Sequence, residues 1–133
     1  MNWKLIFQLS IFGLIMAFGT VSLIPQKVEP VFWVLIFAFC AFVIARACSG
    51  KYFLHGLYTG LANCIWITAV HVIFYHKYIE NHPQMDTWTT SLPAAFATHP
   101  RIATAIVGLG PGIISAIVFG LFAFIASKIA RKK

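Results

Sequence analysis

The third long apolar segment of the chain carries most of the polar side chains that lie within apolar sequence. Asn63 lies near its middle, and His71 and Tyr75 follow towards its end. Inside a membrane, an amide needs a hydrogen-bond partner and an imidazole is a candidate for a functional ionisable group. With Pro111 of the last apolar segment, these residues form our candidate polar site. A path between the two segments would indicate a small transporter or channel.

Three candidate metal ligands follow in the polar stretch after this segment. His76 and Glu80 are four residues apart, and His82 comes two residues later. A spacing of four places two side chains on one face of a helix, and three ligands of these types suit zinc. An outer metal-binding sensor is therefore one hypothesis, and a solvated helix end explains the same residues equally well.

The residue patterns of enzymes and of cofactor proteins are missing from the sequence. No phosphate-binding loop, paired carboxylates or Ser-His-Asp order occurs. Within one chain, a haem would need His71 together with His99. The three cysteines Cys40, Cys48 and Cys64 form no C-x-x-C pair, so dithiol exchange lacks its resolving thiol. We expect a non-enzymatic protein without a cofactor.

The composition predicts that these residues lie in a membrane. Of the 133 residues, 60% are hydrophobic and only 10% charged, and the mean hydropathy is +0.86. Soluble domains average about 25% charged residues. The net charge is +7, but the Lys and Arg residues lie at the ends of apolar runs, which suits lipid head groups rather than nucleic acid. The expected partner is the lipid bilayer, with no nucleic acid.

Four apolar segments are long enough to cross a bilayer, which takes about 20 residues. They predict helices at 5–24, 31–48, 52–78 and 102–129, in a single transmembrane domain over residues 1–133. The expected fold is all-α, a four-transmembrane-helix bundle with a long outer loop between the third and fourth helices. Within that loop, residues 91–98 predict a short surface helix. Pro111 removes a backbone donor and predicts a kink or break in the fourth helix.

The basic residues are divided unequally between the two ends of the predicted helices. The side with the termini and the second connection holds seven and no acidic residue: Lys4, Arg46, Lys51, Lys128, Arg131, Lys132 and Lys133. The opposite side holds three basic residues and all three acidic ones. Because Lys and Arg near spans stay in the cytoplasm, we predict an inner-membrane protein with both termini cytoplasmic.

Small residues recur along the fourth predicted helix. Four of them follow each other at four-residue spacing: Gly108, Gly112, Ala116 and Gly120. Such a stripe lets two helix backbones approach closely. We expect it to pack within the chain, with a homodimer or a larger membrane partner as the alternative, and Gly13 and Ala17 are a candidate facing pair. The leading hypothesis is therefore a structural or interaction module.

The second half of the chain also carries a set of short motifs. They are the Gly-Lys and His-Gly pairs opening the third helix, its aromatic end at Tyr78-Ile79, His99-Pro100, and Gly-Pro-Gly-Ile-Ile-Ser followed by Gly120 and the tail from Lys128. In these features residues 50–133 resemble a small bacterial family of four-helix integral membrane proteins of unknown function. The resemblance implies the fold and an inner-membrane location and assigns no catalytic residue.

Overall fold

The computed structural model describes residues 1–130, apart from the side chain of Ala97, and this part of the chain is helical with short connections. Four helices are long and apolar enough to cross a membrane, which confirms the helical class and the four long segments. Residues 131–133, three of the basic residues counted for the predicted orientation, lie outside the described part. The helices are α1 (Trp3–Ser22), α2 (Glu29–Ala47), α3 (Tyr52–Ile73), α4 (Tyr75–Asn81), α5 (Pro83–Thr90), α6 (Ala94–Ala97) and α7 (Pro100–Ala130).

The helix boundaries follow local capping chemistry. Asn2 precedes α1, and its side-chain oxygen accepts a hydrogen bond of 3.1 Å from the backbone N–H of Leu5. Pro30 lies in the first turn of α2 and Pro100 begins α7, where a missing N–H removes no helix hydrogen bond. In the tight turn before α3, Lys51 takes a left-handed conformation with φ of 53°, although a glycine precedes it.

Helix α3 lies at the centre of the fold. It packs along α7 on one side and along α1 on the other, whereas α2 packs mainly on α7. The α2–α7 contact is built around Phe37 and Phe119, whose rings stack at a centroid distance of 4.6 Å. Cys40, Ala41 and Ile44 extend this core towards the end of α2. The beginning of α2 lies outside this core and borders a cavity.

The predicted third helix at 52–78 is two helices in the structure. Phe74, with φ of −98° and ψ of 33°, interrupts the helix and separates α3 from α4. Positions seven residues apart on a straight helix are about 10 Å apart along its axis. His71 and Tyr78 nevertheless stack with ring centroids 3.8 Å apart. The break accompanies the burial of both rings, which apolar content alone does not reveal.

Helix α7 continues through Pro111, so of the predicted kink or break the break is absent, and the kink stays a prediction. The helix is held against α3 on both sides of the proline. Gly108 faces Thr68, and Gly112 contacts Cys64. These contacts hold α7 to α3 around the point where proline removes a backbone hydrogen bond.

The connection between α4 and α7 is more ordered than the predicted loop. It contains α5 and the four-residue α6, Ala94–Ala97, within the segment predicted as a short helix. Helix α5 contacts both α4 and α7. The connection therefore folds back over one end of the long helices.

Candidate functional site

The small-residue stripe of α7 lies against a second stripe on α3. A Cβ atom at Gly60 would lie 2.5 Å from the Cα atom of Ala116, and one at Gly56 would lie 2.9 Å from the Cα atom of Gly120. These contacts lie within one chain. The facing pairs advance by four residues in opposite directions along the two helices: Gly56–Gly120, Gly60–Ala116, Cys64–Gly112 and Thr68–Gly108.

The partner of the stripe differs from the pair suggested by the sequence. Gly13 of α1 faces Asn63 of α3 rather than α7, and Ala17 packs in a separate core with Val21 and Val70. The four-residue spacing of Gly56, Gly60 and Cys64 was the signal in the sequence that could have identified α3.

A cavity of about 670 Å³ lies between the beginning of α2, the second half of α3 and the middle of α7, next to α5. Of the four candidate polar-site residues, Asn63, His71 and Pro111 line it. Tyr75 does not; it is buried, with its ring edge-on to His76 at a centroid distance of 5.4 Å. The structure therefore brings three of the four residues to one cavity.

The walls of the cavity are mainly apolar. Val34 and Phe37 contribute from α2, Ile67 from α3, and Val118 and Phe122 from α7. Its volume falls within the range of about 300–1,000 Å³ that is usual for small-molecule sites. Val34 is 55% exposed and Val118 38% exposed, so the cavity opens sideways between α2 and α7.

Asn63 is a buried polar side chain at the edge of this cavity. It is only 3% exposed, and among the described residues neither its amide nitrogen nor its amide oxygen has a hydrogen-bond partner. Leaving a buried polar group unpaired costs about 1–3 kcal/mol. The amide group packs against Gly13 of α1, where a Cβ atom would collide with it.

His71 is tied to α1 and packed against α4. Its Nε2 atom lies 2.8 Å from the Thr20 hydroxyl, which donates its own proton to the carbonyl of Ala17 at 3.0 Å. Because a hydroxyl has one proton, this arrangement places the imidazole proton on Nε2. One face of the ring stacks on Tyr78, which in turn stacks on His82 at 4.6 Å.

His82 and Glu29 meet at the α4–α5 end of the cavity. His82 is 1% exposed; its Nδ1 atom donates to the Tyr78 carbonyl at 3.2 Å, and its Nε2 atom lies 3.8 Å from Glu29 Oε2. The other Glu29 oxygen accepts a hydrogen bond of 3.1 Å from the Trp33 indole. Burial and the nearby Glu29 carboxylate raise the pKa of Tyr78 to about 12, so this phenol stays neutral.

The three predicted metal ligands are not brought together. Glu80 pairs with Lys77 at 3.6 Å, His76 is exposed, and His82 is buried beside Glu29. His76 and Glu80 both lie in α4, as their spacing predicted, whereas His82 follows the last residue of that helix. Across residues 1–130, no group of three or more His, Cys, Asp or Glu residues has metal-binding geometry.

A smaller hollow of about 390 Å³ lies at the opposite end of the bundle, between the chain start and the α2–α3 turn. His55 lines it, accepting from the backbone N–H of Asn2 at 3.0 Å and donating to the Lys51 carbonyl at 2.9 Å. Both ring nitrogens are therefore occupied. Burial raises the pKa of the nearby Cys48 thiol, which keeps it un-ionised. This histidine joins α1 to α3 and carries no free group.

Comparison with known proteins does not add to this geometry. No protein-family model, curated protein or solved structure matches the chain. The resemblance to a four-helix membrane family stays a prediction.

Proposed function

We propose that the chain is a single-domain, four-helix bundle of the inner membrane with both termini in the cytoplasm. Large apolar side chains that point away from the bundle support the membrane placement: Phe7, Ile15, Leu35 and Ile114 are each 60–64% exposed. Surfaces of this kind are stable in lipid and costly in water. The excess of basic residues on the side of the termini supports the orientation.

Cysteine labelling in whole cells tests this orientation. In a variant without native cysteines, Thr90→Cys on α5 should react with a membrane-impermeant maleimide in intact cells. Ala47→Cys, at the opposite end of α2, should react only after the inner membrane is permeabilised. Both positions are exposed, so accessibility to the reagent depends on the side of the membrane. The reverse pattern would overturn the orientation.

We propose further that the protein binds a small, mostly apolar molecule in the cavity between α2, α3 and α7, as the binding step of a small transporter. The cavity of about 670 Å³, with its mainly apolar walls and the few polar residues among them, carries this proposal. Small-molecule sites combine apolar walls with a few polar groups that orient the ligand. The position of Asn63, His71 and Pro111 favours the path that the sequence indicated between α3 and α7.

The interaction-module hypothesis receives less support in its homodimer form. The Gly108–Gly120 stripe is already in contact with α3, so a second copy could not use it without displacing that helix. A larger membrane partner would have to bind a different surface. That hypothesis stays a prediction.

Quenching of tryptophan fluorescence by bromoalkyl probes tests binding in the cavity, because Trp33 and Trp88 line it. Protein in dodecyl maltoside is titrated with bromoundecanol, bromoundecyl trimethylammonium and bromoundecanoate, and at least one should quench saturably. Val118→Phe, which narrows the cavity, should weaken that binding at least about fivefold, equal to about 1 kcal/mol. Ile114 on the same helix lies outside the cavity lining, so Ile114→Phe should leave the binding of the probe unchanged. Saturable quenching by none of the three probes would overturn the proposal.

A further inference from the structure

Within residues 1–130, the lining of the cavity contains one carboxylate, two histidines and no other ionisable side chain apart from Tyr78 and Cys64. Glu29, at the first position of α2, is the only acidic residue of the lining, and the lining contains no Lys or Arg among the described residues. The three basic residues on this side of the bundle, Lys27, Lys77 and Arg101, lie outside the lining. A ligand with a negative charge would therefore meet a carboxylate that has no Lys or Arg partner in the lining and only the His82 ring nearby, at 3.8 Å, and a ligand with a positive charge would meet its counter-ion.

The Glu29 carboxylate has unused capacity to accept hydrogen bonds. A carboxylate offers about four acceptor positions. The Trp33 indole fills one of them on Oε1, and the His82 Nε2 atom, at 3.8 Å, is beyond hydrogen-bond distance of Oε2. The side chain is 24% exposed, so it is partly removed from water and still reachable. Oε2 is the atom on which a ligand cation would bind.

Aromatic rings surround the same end of the cavity. Trp33 of α2 and Trp88 of α5 line it, and Trp88 is 60% exposed, whereas the Tyr78 ring beside them is already stacked on His71 and on His82. The faces of aromatic rings attract ammonium groups, and tryptophan does so most strongly. Aromatic rings beside a carboxylate are a common arrangement for recognising an amine or a quaternary ammonium group.

The apolar part of the cavity extends away from this carboxylate. From Glu29 to Phe37 along α2 is eight residues, or about 12 Å at the rise of a helix. Phe37, Val118 and Phe122 line this stretch, and Asn63 lies at its edge on α3. The cavity therefore has an anionic aromatic end and an apolar length beyond it.

We propose that the cavity binds a single-chain cationic amphiphile, with its ammonium group on Glu29 among Trp33 and Trp88 and its apolar chain directed towards Phe37 and Phe122. This inference rests on the proposed binding function and specifies the chemistry of its ligand. The pairing compensates a partly desolvated carboxylate, and the chain fills apolar space that opens towards lipid.

The same three probes separate this inference from the proposed function, since they share a tail and differ only in the charge of the head group. The ammonium probe should bind at least about tenfold more tightly than the alcohol, and the carboxylate probe most weakly, as expected for one charge-assisted contact. Equal binding of all three would overturn the inference and leave the binding function intact. Binding by none would overturn both.

Variants of Glu29 and Trp88 test where the ammonium group binds. Glu29→Gln should reduce the preference for the ammonium probe over the alcohol to less than about threefold. Glu80→Gln, an exposed acid of α4 outside the lining, is the matched control and should keep the full preference. Trp88 is exposed, so Trp88→Leu should leave folding intact. This variant should weaken binding of the ammonium probe more than binding of the alcohol. An unchanged preference in Glu29→Gln would overturn the inference.

A competition experiment distinguishes a free amphiphile from a membrane lipid with an ammonium head group. Phosphatidylethanolamine dispersed in the same micelles should displace the ammonium probe much less effectively than dodecyl trimethylammonium does. Equal displacement would overturn the single-chain form of the inference.

Discussion

Gly60 of α3 and Ala116 of α7 are in direct backbone contact, since a Cβ atom built on Gly60 would lie 2.5 Å from the Cα atom of Ala116. At this point only main chain separates the two central helices, and the packing energy comes from dispersion contacts between the backbones. The contact also determines which glycines of the chain tolerate a side chain.

The first prediction concerns Gly60→Leu. The new side chain meets the backbone of α7, which cannot move without separating the helices, so we expect the free energy of unfolding to fall by about 3 kcal/mol or more. Gly110→Ala is the control, because nothing lies within 4 Å of a Cβ atom there and alanine favours the helix. Unfolding by sodium dodecyl sulfate, followed by circular dichroism, measures both variants. Equal stability of the two would contradict the observed contact.

The second prediction concerns the hydrogen bond between His71 and Thr20, at 2.8 Å. Thr20→Val keeps the shape of the side chain and removes the hydroxyl, so the His71 Nε2 proton loses its acceptor. Interhelical hydrogen bonds in membranes contribute about 0.6–1.7 kcal/mol, and we expect a loss in this range. A double-mutant cycle with His71→Phe isolates the pair, and a coupling energy near zero would show that the bond does not hold α1 to α3.

The third prediction concerns the unpartnered amide of Asn63. Asn63→Leu has a similar branched shape and removes a buried group without a hydrogen-bond partner, so we expect the unliganded protein to gain about 1–2 kcal/mol of unfolding free energy. Gly13→Ala should have the opposite effect, because its Cβ atom would collide with the Asn63 side chain. A clear loss of stability in Asn63→Leu would mean that the amide has a partner in the folded protein.

The fourth prediction concerns alkaline pH. The folded protein holds the Tyr78 proton up to a pKa of about 12 because of burial and the Glu29 carboxylate. The unfolded chain releases it near pH 10. The unfolded state therefore binds fewer protons between these values, and stability falls as pH rises, by about 2–3 kcal/mol in total. Below pH 10 this contribution is fully present. Unfolding curves for the wild type and Tyr78→Phe should converge or cross in this window, with Tyr58→Phe as the control. Parallel curves would argue against the raised pKa of Tyr78.

Hydrophobic run length predicted the four long helices because each apolar segment exceeds what a short buried helix needs. The bounds of α1, for example, differ by two residues at each end from the predicted 5–24. The stripe on α7 also follows from spacing on a helix, which the sequence contains directly. Asn63, His71 and Pro111 were grouped instead from their polar or helix-breaking character within apolar sequence, and the sequence does not show that they line one cavity.

The parts that the sequence did not predict depend on contacts between distant residues. Phe74 is an ordinary apolar residue, and the interruption there accompanies the stacking of Tyr78 on His71, a contact that local sequence does not reveal. Likewise, Glu29 and His82 are far apart in the chain, and their meeting requires the beginning of α2 and the end of α4 to converge. The cavity lies beside α2, which packs mainly on α7 and little on α3. The hydrophobic pattern of a single helix does not predict which neighbour it packs on.

The four-residue repeat shared by α3 and α7 affects how firmly the axial position of one helix against the other is fixed. A shift of α7 by one repeat, about 6 Å along its axis, would still place small residues opposite small residues, with Gly60 facing Gly112 and Gly56 facing Ala116. The stripe thus defines how close the two helices lie without defining their axial position. That position is set by the bulky groups at its border, above all Phe119, which is stacked on Phe37 and would leave this ring after such a shift.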